Sequence, residues 1–354
     1  MDLALHHPRW GYYAQGPERL GASGDFVTAS DAGDAFGDAV AHQLLELDRR
    51  LDHPDPFHVV EIGCGRGLLA RDVLDALGRR EPSLRRRVRC VLADTSPGMR
   101  AVAAAQVPEA SVVPPEELPA GVTGCLLAVE LLDALPVHRL RRRGGALKEI
   151  GVGLDGEGRL VEVEIPPGAR VCSLAARYGA AREEGEEAEV CPALDGMAAT
   201  LAKALERGFV LIVDYGYDAA TLYGPRHTAG TLLAYHRHRT HEAVLVRVGQ
   251  QDLTAHVNFS HLEDAAAGSG LRPLGRTTQD RFLIANGILA RFAEEDPQAW
   301  ASPVQVARRR AALQLLHPDG MGRRFHVLVL GRGEIGEGPL RGLADPFARS
   351  APST

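Results

Sequence analysis

Aromatic residues are scarce in this 354-residue chain, at 5%, while Ala, Arg and Gly are plentiful. That bias reads as genomic composition and assigns no function. There is no excess of positive charge either. The formal charge is −6, which removes the global basic field that nonspecific nucleic-acid binding needs. Cysteines number five (Cys64, Cys90, Cys125, Cys172 and Cys191). Their odd number and the lack of a CxxC pair argue against a disulfide framework and for reduced, buried thiols in a cytoplasmic protein. Four histidines, His227, His236, His238 and His241, share one loop without a supporting Cys or acid pattern, so no metal is expected. No apolar run reaches the length of a membrane span, and no signal peptide opens the chain. Met1 leads directly into the dense pattern Trp10-Gly11-Tyr12-Tyr13, which leaves room for a leading segment outside this sequence.

The most telling stretch present is Glu61-Ile62-Gly63-Cys64-Gly65-Arg66-Gly67, between an apolar run from Phe57 and a helical pattern from Leu68. Strand, glycine turn and helix N-terminus together make a small platform for a nucleotide-like ligand. Gly63, Gly65 and Gly67 let the chain turn sharply and let a ligand approach the backbone without meeting a Cβ. The spacing is GxGxG and not GxGxxG, with Glu61 two positions before the first glycine. A carboxylate there repels a pyrophosphate but suits a sulfonium-bearing amino acid. The motif therefore points to S-adenosylmethionine (SAM) in preference to a nicotinamide, the bland alternative being a glycine-rich turn with no ligand.

Apolar strands alternate with helical patterns from Phe57 onward, the signature of a parallel sheet. Strands are expected at 59–62, 88–93, 111–113, 124–129 and 209–213, with helices at 68–80 and 97–106. Before them an amphipathic helix spans about 31–50, capped by Ser30 or Asp31. Residues 138–143, 147–152 and 160–165 alternate charged and apolar side chains between turn signals, as an antiparallel insertion does. A helix at 195–207 returns to the sheet, and the Gly/His-rich segment 217–257 is expected to be loop. Helices at 260–267, 280–294 and 304–316 and a strand at 325–330 follow. Residues past Gly336 read as a frayed tail.

Several carboxylates then attract attention. Asp94 ends the second strand, where it can accept hydrogen bonds from both ribose hydroxyls of an adenosine or simply cap the next helix. Glu130 and Asp133 lie just beyond the long apolar strand, at the edge where open α/β sheets bind ligands. They suit a cationic acceptor; the bland reading is a solvated turn. Asp25, in Gly24-Asp25-Phe26, either closes over a donor or forms an Asx turn.

Taken in order, these segments resemble the MidA family of SAM-dependent methyltransferases, relatives of a mitochondrial complex I assembly factor that methylates arginine. The resemblance runs from Trp10-Gly11-Tyr12-Tyr13 through Gly24-Asp25-Phe26-Val27-Thr28, Phe36-Gly37 and the glycine turn to Glu130-Leu131-Leu132-Asp133-Ala134-Leu135-Pro136-Val137. It continues in Glu189-Val190-Cys191-Pro192, Asp214-Tyr215-Gly216 and Asp252-Leu253-Thr254-Ala255-His256-Val257-Asn258-Phe259. This chain departs from the family at Cys64 (usually Pro), Val129 (usually Asn), Asp94 (usually Glu) and the segment after Thr28. The resemblance implies an α/β, Rossmann-like class I SAM-dependent methyltransferase core with an N-terminal extension and an inserted, mostly antiparallel substrate region. Residues 1–56 would close over the cofactor, 57–136 and 201–335 would form the two halves of the core, 137–200 the insertion and 336–354 the tail. It implies donor contacts from Glu61, Gly63, Gly65, Gly67, Asp94, Thr95, Gly24 and Thr28, and acceptor chemistry from Glu130, Asp133 and Asp25. The acceptor it implies is an arginine-bearing protein such as a respiratory complex subunit.

An arginine guanidinium lies about six pH units above neutrality, so removing its proton beforehand would cost roughly 8 kcal/mol. A viable enzyme fixes the guanidinium between carboxylates and lets the proton leave as the methyl arrives, and Glu130 is the first candidate for the orienting group. A small-molecule methyltransferase and a SAM-binding assembly factor without turnover remain as alternatives, and the oligomeric state stays open.

Overall fold

Runs apolar on both faces suit strands covered by helices on each side. In the computed structural model of the chain, which describes residues 1–16, 28–293 and 302–348, such runs form the middle of a mixed sheet. In chain order the strands are β1 (Phe57–Ile62), β2 (Val88–Ala93), β3 (Ser111–Val113) and β4 (Val122–Val129), then β5 (His138–Arg143), β6 (Ala146–Leu154), β7 (Leu160–Ile165) and β8 (Glu187–Val190). After β9 (Leu205–Tyr217) come β10 (Leu233–His236), β11 (Arg239–His241), β12 (Asp252–Thr254), β13 (Val257–Asn258), β14 (Arg272–Thr278) and β15 (Phe325–Arg332). The main sheet runs β14-β15-β9-β4-β1-β2-β3, with β13 added to the end of β9. Strands β1, β2, β3, β4 and β9 are parallel, and β15 enters antiparallel between β9 and β14. This is the class I SAM-dependent methyltransferase fold. Strands β7-β6-β5-β8 make a separate antiparallel sheet, and β11-β10-β12 a third.

Side-chain alternation builds the core on both faces. Phe57, Val59, Cys125, Leu127, Phe209 and Leu211 pack on one side with Phe36, Leu44 and Leu77 from helices Ala35–Arg50 and Leu68–Arg80. Val60, Ile62, Leu126, Val210 and Ile212 pack on the other with Leu201 and Leu262 from helices Ala193–Ala204 and Phe259–Gly268. The cysteines are all free thiols; Cys64, Cys90 and Cys125 are buried, Cys172 and Cys191 half-buried. No helix among the described residues is long and apolar enough to cross a membrane.

Several expectations give way to tertiary structure. The helix expected over 31–50 starts only at Ala35, because Gly33 turns the chain at φ +100°. Neither Ser30 nor Asp31 caps it; Thr28 instead caps a 3-10 turn, Ala29–Ala32, in a reciprocal pair with Asp31. The helix expected over 195–207 forms at Ala193–Ala204, since Leu205 already pairs with Val122 of β4. The single helix expected over 280–294 breaks into Gln279–Ala285 and Ile288–Ala293 at Gly287, whose φ is +86°. Segment 217–257 is not all loop but holds β10, β11 and β12. Strand β14 and the helices Pro82–Arg87 and Ala169–Tyr178 had no expectation.

The tail is not frayed as far as it is described. The Arg50 guanidinium donates to the carbonyls of Gly336 (3.0 Å), Glu337 (3.1 Å), Gly338 (2.9 Å) and Pro339 (2.5 Å), and Leu340 is buried. Charge-assisted hydrogen bonds contribute more than neutral ones. Arg50→Ala is expected to lower stability by about 2 kcal/mol and to make residues 333–348 the first site of limited proteolysis. An unchanged melting temperature and cleavage pattern would count against the clamp.

Candidate active site

Strand order reverses between β1 and β4, so the connections beyond β1 and β4 leave in opposite directions and open a crevice at the strands' carboxyl ends. The turn after β1 enters it with Gly63, Gly65 and Gly67 at φ +74°, +51° and +73°, in the left-handed region that favours glycine. Gly63 and Cys64 amides donate to the Ala93 carbonyl at 2.8 and 3.1 Å, tying the turn to the end of β2. The Gly65 amide donates to Asp94 Oδ2 at 2.9 Å, and the Ser96 amide to Asp94 Oδ1 at 2.8 Å. Asp94 therefore holds the glycine turn from across the sheet. The cap of helix Pro97–Gln106 is Ser96, not Asp94. Glu61 Oε2 accepts from the Ala70 amide at 3.1 Å, in the first turn of Leu68–Arg80, whose own N-cap Gly67 has no side chain to offer. Burial pushes the Glu61 carboxyl up to about 8.

This turn lines a cavity of about 270 Å³, together with Asp94, Thr95, Glu130 and Leu131. The N-terminal segment covers it: His6, Tyr13, Thr28, Ser30 and Asp31 also line the space. Two contacts fasten that cover. Asp31 pairs with the Arg66 guanidinium of the glycine turn, and the Ala29 amide donates to Glu130 Oε1 at 2.6 Å. Gly24 and Asp25 lie outside the described residues.

Glu130 and Asp133 follow β4 in a turn that Asp214 organises. The buried Asp214 Oδ2 accepts from the amides of Leu131 (3.2 Å), Leu132 (2.7 Å) and Asp133 (3.3 Å), and Oδ1 from that of Tyr215 (2.9 Å). Glu130 itself sits at φ +52°, a left-handed conformation that a non-glycine residue holds only when its surroundings enforce it. Its side chain also faces a second cavity of about 460 Å³. Glu130 and Tyr13 line both spaces. Carboxylates Asp133 and Asp252 and the rings of Tyr215, Tyr217 and Tyr235 build the second one. Tyr215 donates to Asp133 Oδ2 at 2.5 Å, and Tyr13 donates to Asp252 Oδ1 at 2.9 Å.

Burial drives the titration of this wall. It pushes Glu130 up to about 8 and Asp133 to about 6, the latter held back by the Tyr215 hydrogen bond. Burial and neighbouring carboxylates raise Tyr13 and Tyr215, so both stay phenols at neutral pH. Acids held above their ordinary range are relieved when a cation arrives, and faces of tyrosine rings attract the same charge. Such a wall suits a flat cation. Sequence reasoning placed Glu130 and Asp133 here but assigned nothing to Tyr13, Tyr215 or Asp252, although all three stand in quoted motifs. The usable signal was a polar aromatic or acid recurring inside otherwise apolar motif segments.

Comparison with known proteins agrees with the geometry. The family described as "Putative S-adenosyl-L-methionine-dependent methyltransferase" matches residues 39–277. The chain is 29% identical to "Protein arginine methyltransferase NDUFAF7 homolog, mitochondrial" of Drosophila melanogaster, over 93% of this chain and 80% of that protein. It is 28% identical to "Protein arginine methyltransferase NDUFAF7, mitochondrial" of Rattus norvegicus, over 93% and 79%. Among solved structures, a COG1565 superfamily member from Burkholderia thailandensis bound to S-adenosyl-homocysteine is similar at a TM-score of 0.86 and 30% identity. That match covers 98% of this chain and 89% of the other.

Proposed function

The chain belongs to this family of S-adenosyl-L-methionine-dependent methyltransferases, and on that premise we propose that it methylates the guanidinium of an arginine in a protein. The observation that carries this reading is the second cavity, where Glu130, Asp133 and Asp252 stand among tyrosine rings beside the donor-side space. SAM supplies an electrophilic methyl group on a sulfonium. The residues lining the donor-side space fit it: Glu61 would offer a carboxylate to the amino group, Asp94 and Thr95 would hold the ribose, and Ile62, Met99 and Leu135 would give apolar walls for the base. Gly63, Gly65 and Gly67 keep the backbone open to it, and the segment from Thr28 to Asp31 closes the space. Gly24 and Asp25 belong to the same proposal through the family motif alone. Glu130 and Asp133 grip the guanidinium so that one nitrogen faces the methyl group, and well-aligned approach contributes up to about 7–11 kcal/mol to lowering the barrier.

The test incubates the protein and labelled SAM with lysate of a strain lacking it, then hydrolyses the protein fraction. Labelled methylarginine supports the reading; label confined to small molecules overturns it. Resemblance makes a respiratory-complex subunit the first protein to isolate from that lysate.

Glu61 gives SAM binding a definite pH dependence. Only its ionised form pairs with a cation, and below about 8 the free protein holds the proton. Binding must expel that proton, so affinity is expected to rise between pH 6 and 8, by up to about tenfold per unit. Calorimetry in buffers of different ionisation enthalpy should show proton release near pH 7. Glu61→Gln should weaken binding and flatten the profile. A flat profile in the unaltered protein would remove Glu61 from the donor site.

A further inference from the structure

Methylation of a guanidinium releases one proton inside a wall of buried groups, where Glu130 and Asp133 are occupied with the cation and each also accepts a hydrogen bond from the protein. Glu130 accepts from the Ala29 amide, and Asp133 accepts from Tyr215. A neutral imidazole lines the same cavity. His256, between β12 and β13, is held by its own amide, which donates to Thr231 Oγ1 at 3.1 Å. Its ring stands edge-on to Tyr215, with centroids 5.4 Å apart at 84°, and 5.5 Å from the ring of Tyr217. Its Nδ1 is buried without a hydrogen-bond partner. A buried polar atom left unpaired is destabilising, and a ligand donor that reaches it relieves that cost.

We propose that His256 Nδ1 accepts the proton lost by the guanidinium during methyl transfer, and that His227 passes it towards solvent. The inference rests on the arginine reading above. In the step, a guanidinium nitrogen forms the N–C bond while the methyl C–S bond breaks, and sulfur keeps the electron pair as a neutral thioether. The N–H proton goes to His256 Nδ1. Two positive charges enter, on guanidinium and sulfonium, and two leave, on methylguanidinium and imidazolium. His256 must start neutral, as the Nε2–H tautomer. Burial, with His227 and Arg324 nearby, pushes it down to about 4, so it is neutral at pH 7 and releases the proton readily afterwards. The His227 ring lies 5.9 Å from that of His256 and 5.1 Å from that of Tyr217. His227 is half-buried, and its Nδ1 lies 3.2 Å from the carbonyl of Thr221, an exposed residue of helix Ala219–Leu222. Groups facing His256 are Tyr215 and Tyr217 from β9, His227 from the loop after it, Arg324 before β15, and Glu130, Asp133, Asp252 and Asp319 around the cavity.

The experiment compares the unaltered protein with His256→Asn, His256→Ala and His227→Ala. Each is given labelled SAM and lysate of a strain lacking the protein, and methylarginine is counted after hydrolysis. SAM affinity is measured by calorimetry alongside. We expect all variants to bind SAM within twofold of the parent. His256→Asn keeps a hydrogen-bond acceptor but cannot take a proton, and should lose about a hundredfold in rate. His256→Ala should lose as much and recover severalfold with added imidazole. His227→Ala should lose less and become dependent on buffer concentration. His256→Asn working at the parental rate, or His256→Ala showing no imidazole rescue with SAM affinity intact, overturns the role of His256. A His227→Ala variant indifferent to buffer overturns the relay. If the unaltered protein makes no methylarginine, the arginine reading falls and takes this one with it, a result distinct from failure of His256 alone.

Discussion

Gly65→Val is expected to abolish SAM binding while leaving the protein folded. Gly65 sits at φ +51°, where a β-branched residue meets its own backbone and loses about 1–2 kcal/mol or more. The strain alone is moderate. Its leverage comes from the Gly65 amide, which Asp94 holds at 2.9 Å. Pushing that amide away releases Asp94 and places two methyl groups beside the 270 Å³ space. Losses of this kind compound, so affinity should fall by more than about a hundredfold, roughly 2.7 kcal/mol. Calorimetry with circular dichroism as the folding control would check it. Binding within tenfold of the parent would show that the glycine turn does not form the donor platform.

The second large effect falls on Glu130. Glu130→Gln keeps the size and the acceptor for the Ala29 amide, so the cover over the donor space should stay in place. SAM affinity is then expected to change by no more than a few-fold. The amide cannot balance the charge of a guanidinium, and turnover should fall by about 10²–10³, the range seen when one preorganised electrostatic contact is removed. The pH profile adds a signature. Free Glu130 is held up to about 8, and only its ionised form grips a cation, so kcat/KM should climb from pH 6 to 8 in the parent protein. Measured for the acceptor at saturating SAM, where Glu61 is already ionised, that limb should vanish in Glu130→Gln, leaving the smaller contribution of Asp133 near 6. Unchanged turnover, or an unchanged limb, would take Glu130 out of the reaction.

How far sequence alone reached follows from the range of the interactions involved. The glycine turn, β1 to β3 and the insertion strands β5 and β7 were legible because period and turn residues act over a few positions. Strand β14 was not, since it is a bulged edge strand whose polar residues are ordered by pairing with the distant β15. The docked tail was hidden for a similar reason: a single arginine about 290 residues upstream supplies its donors. Within the site, the position of Glu130 beyond an apolar strand announced it. Asp214 did not announce itself, although its carboxylate gathers the amides of a turn 82 residues earlier. The tyrosines and His256 read equally well as core until the cavity they line was in view. Asp94, one methylene shorter than the residue usual in the family, accepts from two backbone amides, those of Gly65 and Ser96.

On the proposed function, the bond from the Ala29 amide to Glu130 ties the cover of one ligand to the clamp of the other. By thermodynamic reciprocity, whatever binding free energy SAM gains from closing that segment is returned as tighter binding of the acceptor, and the converse. The two ligands should then bind with positive cooperativity. On the proposed reading, release of the spent donor that parts this bond also loosens the methylated product. On that reading a single 2.6 Å hydrogen bond couples the departure of both products to the backbone at residue 29.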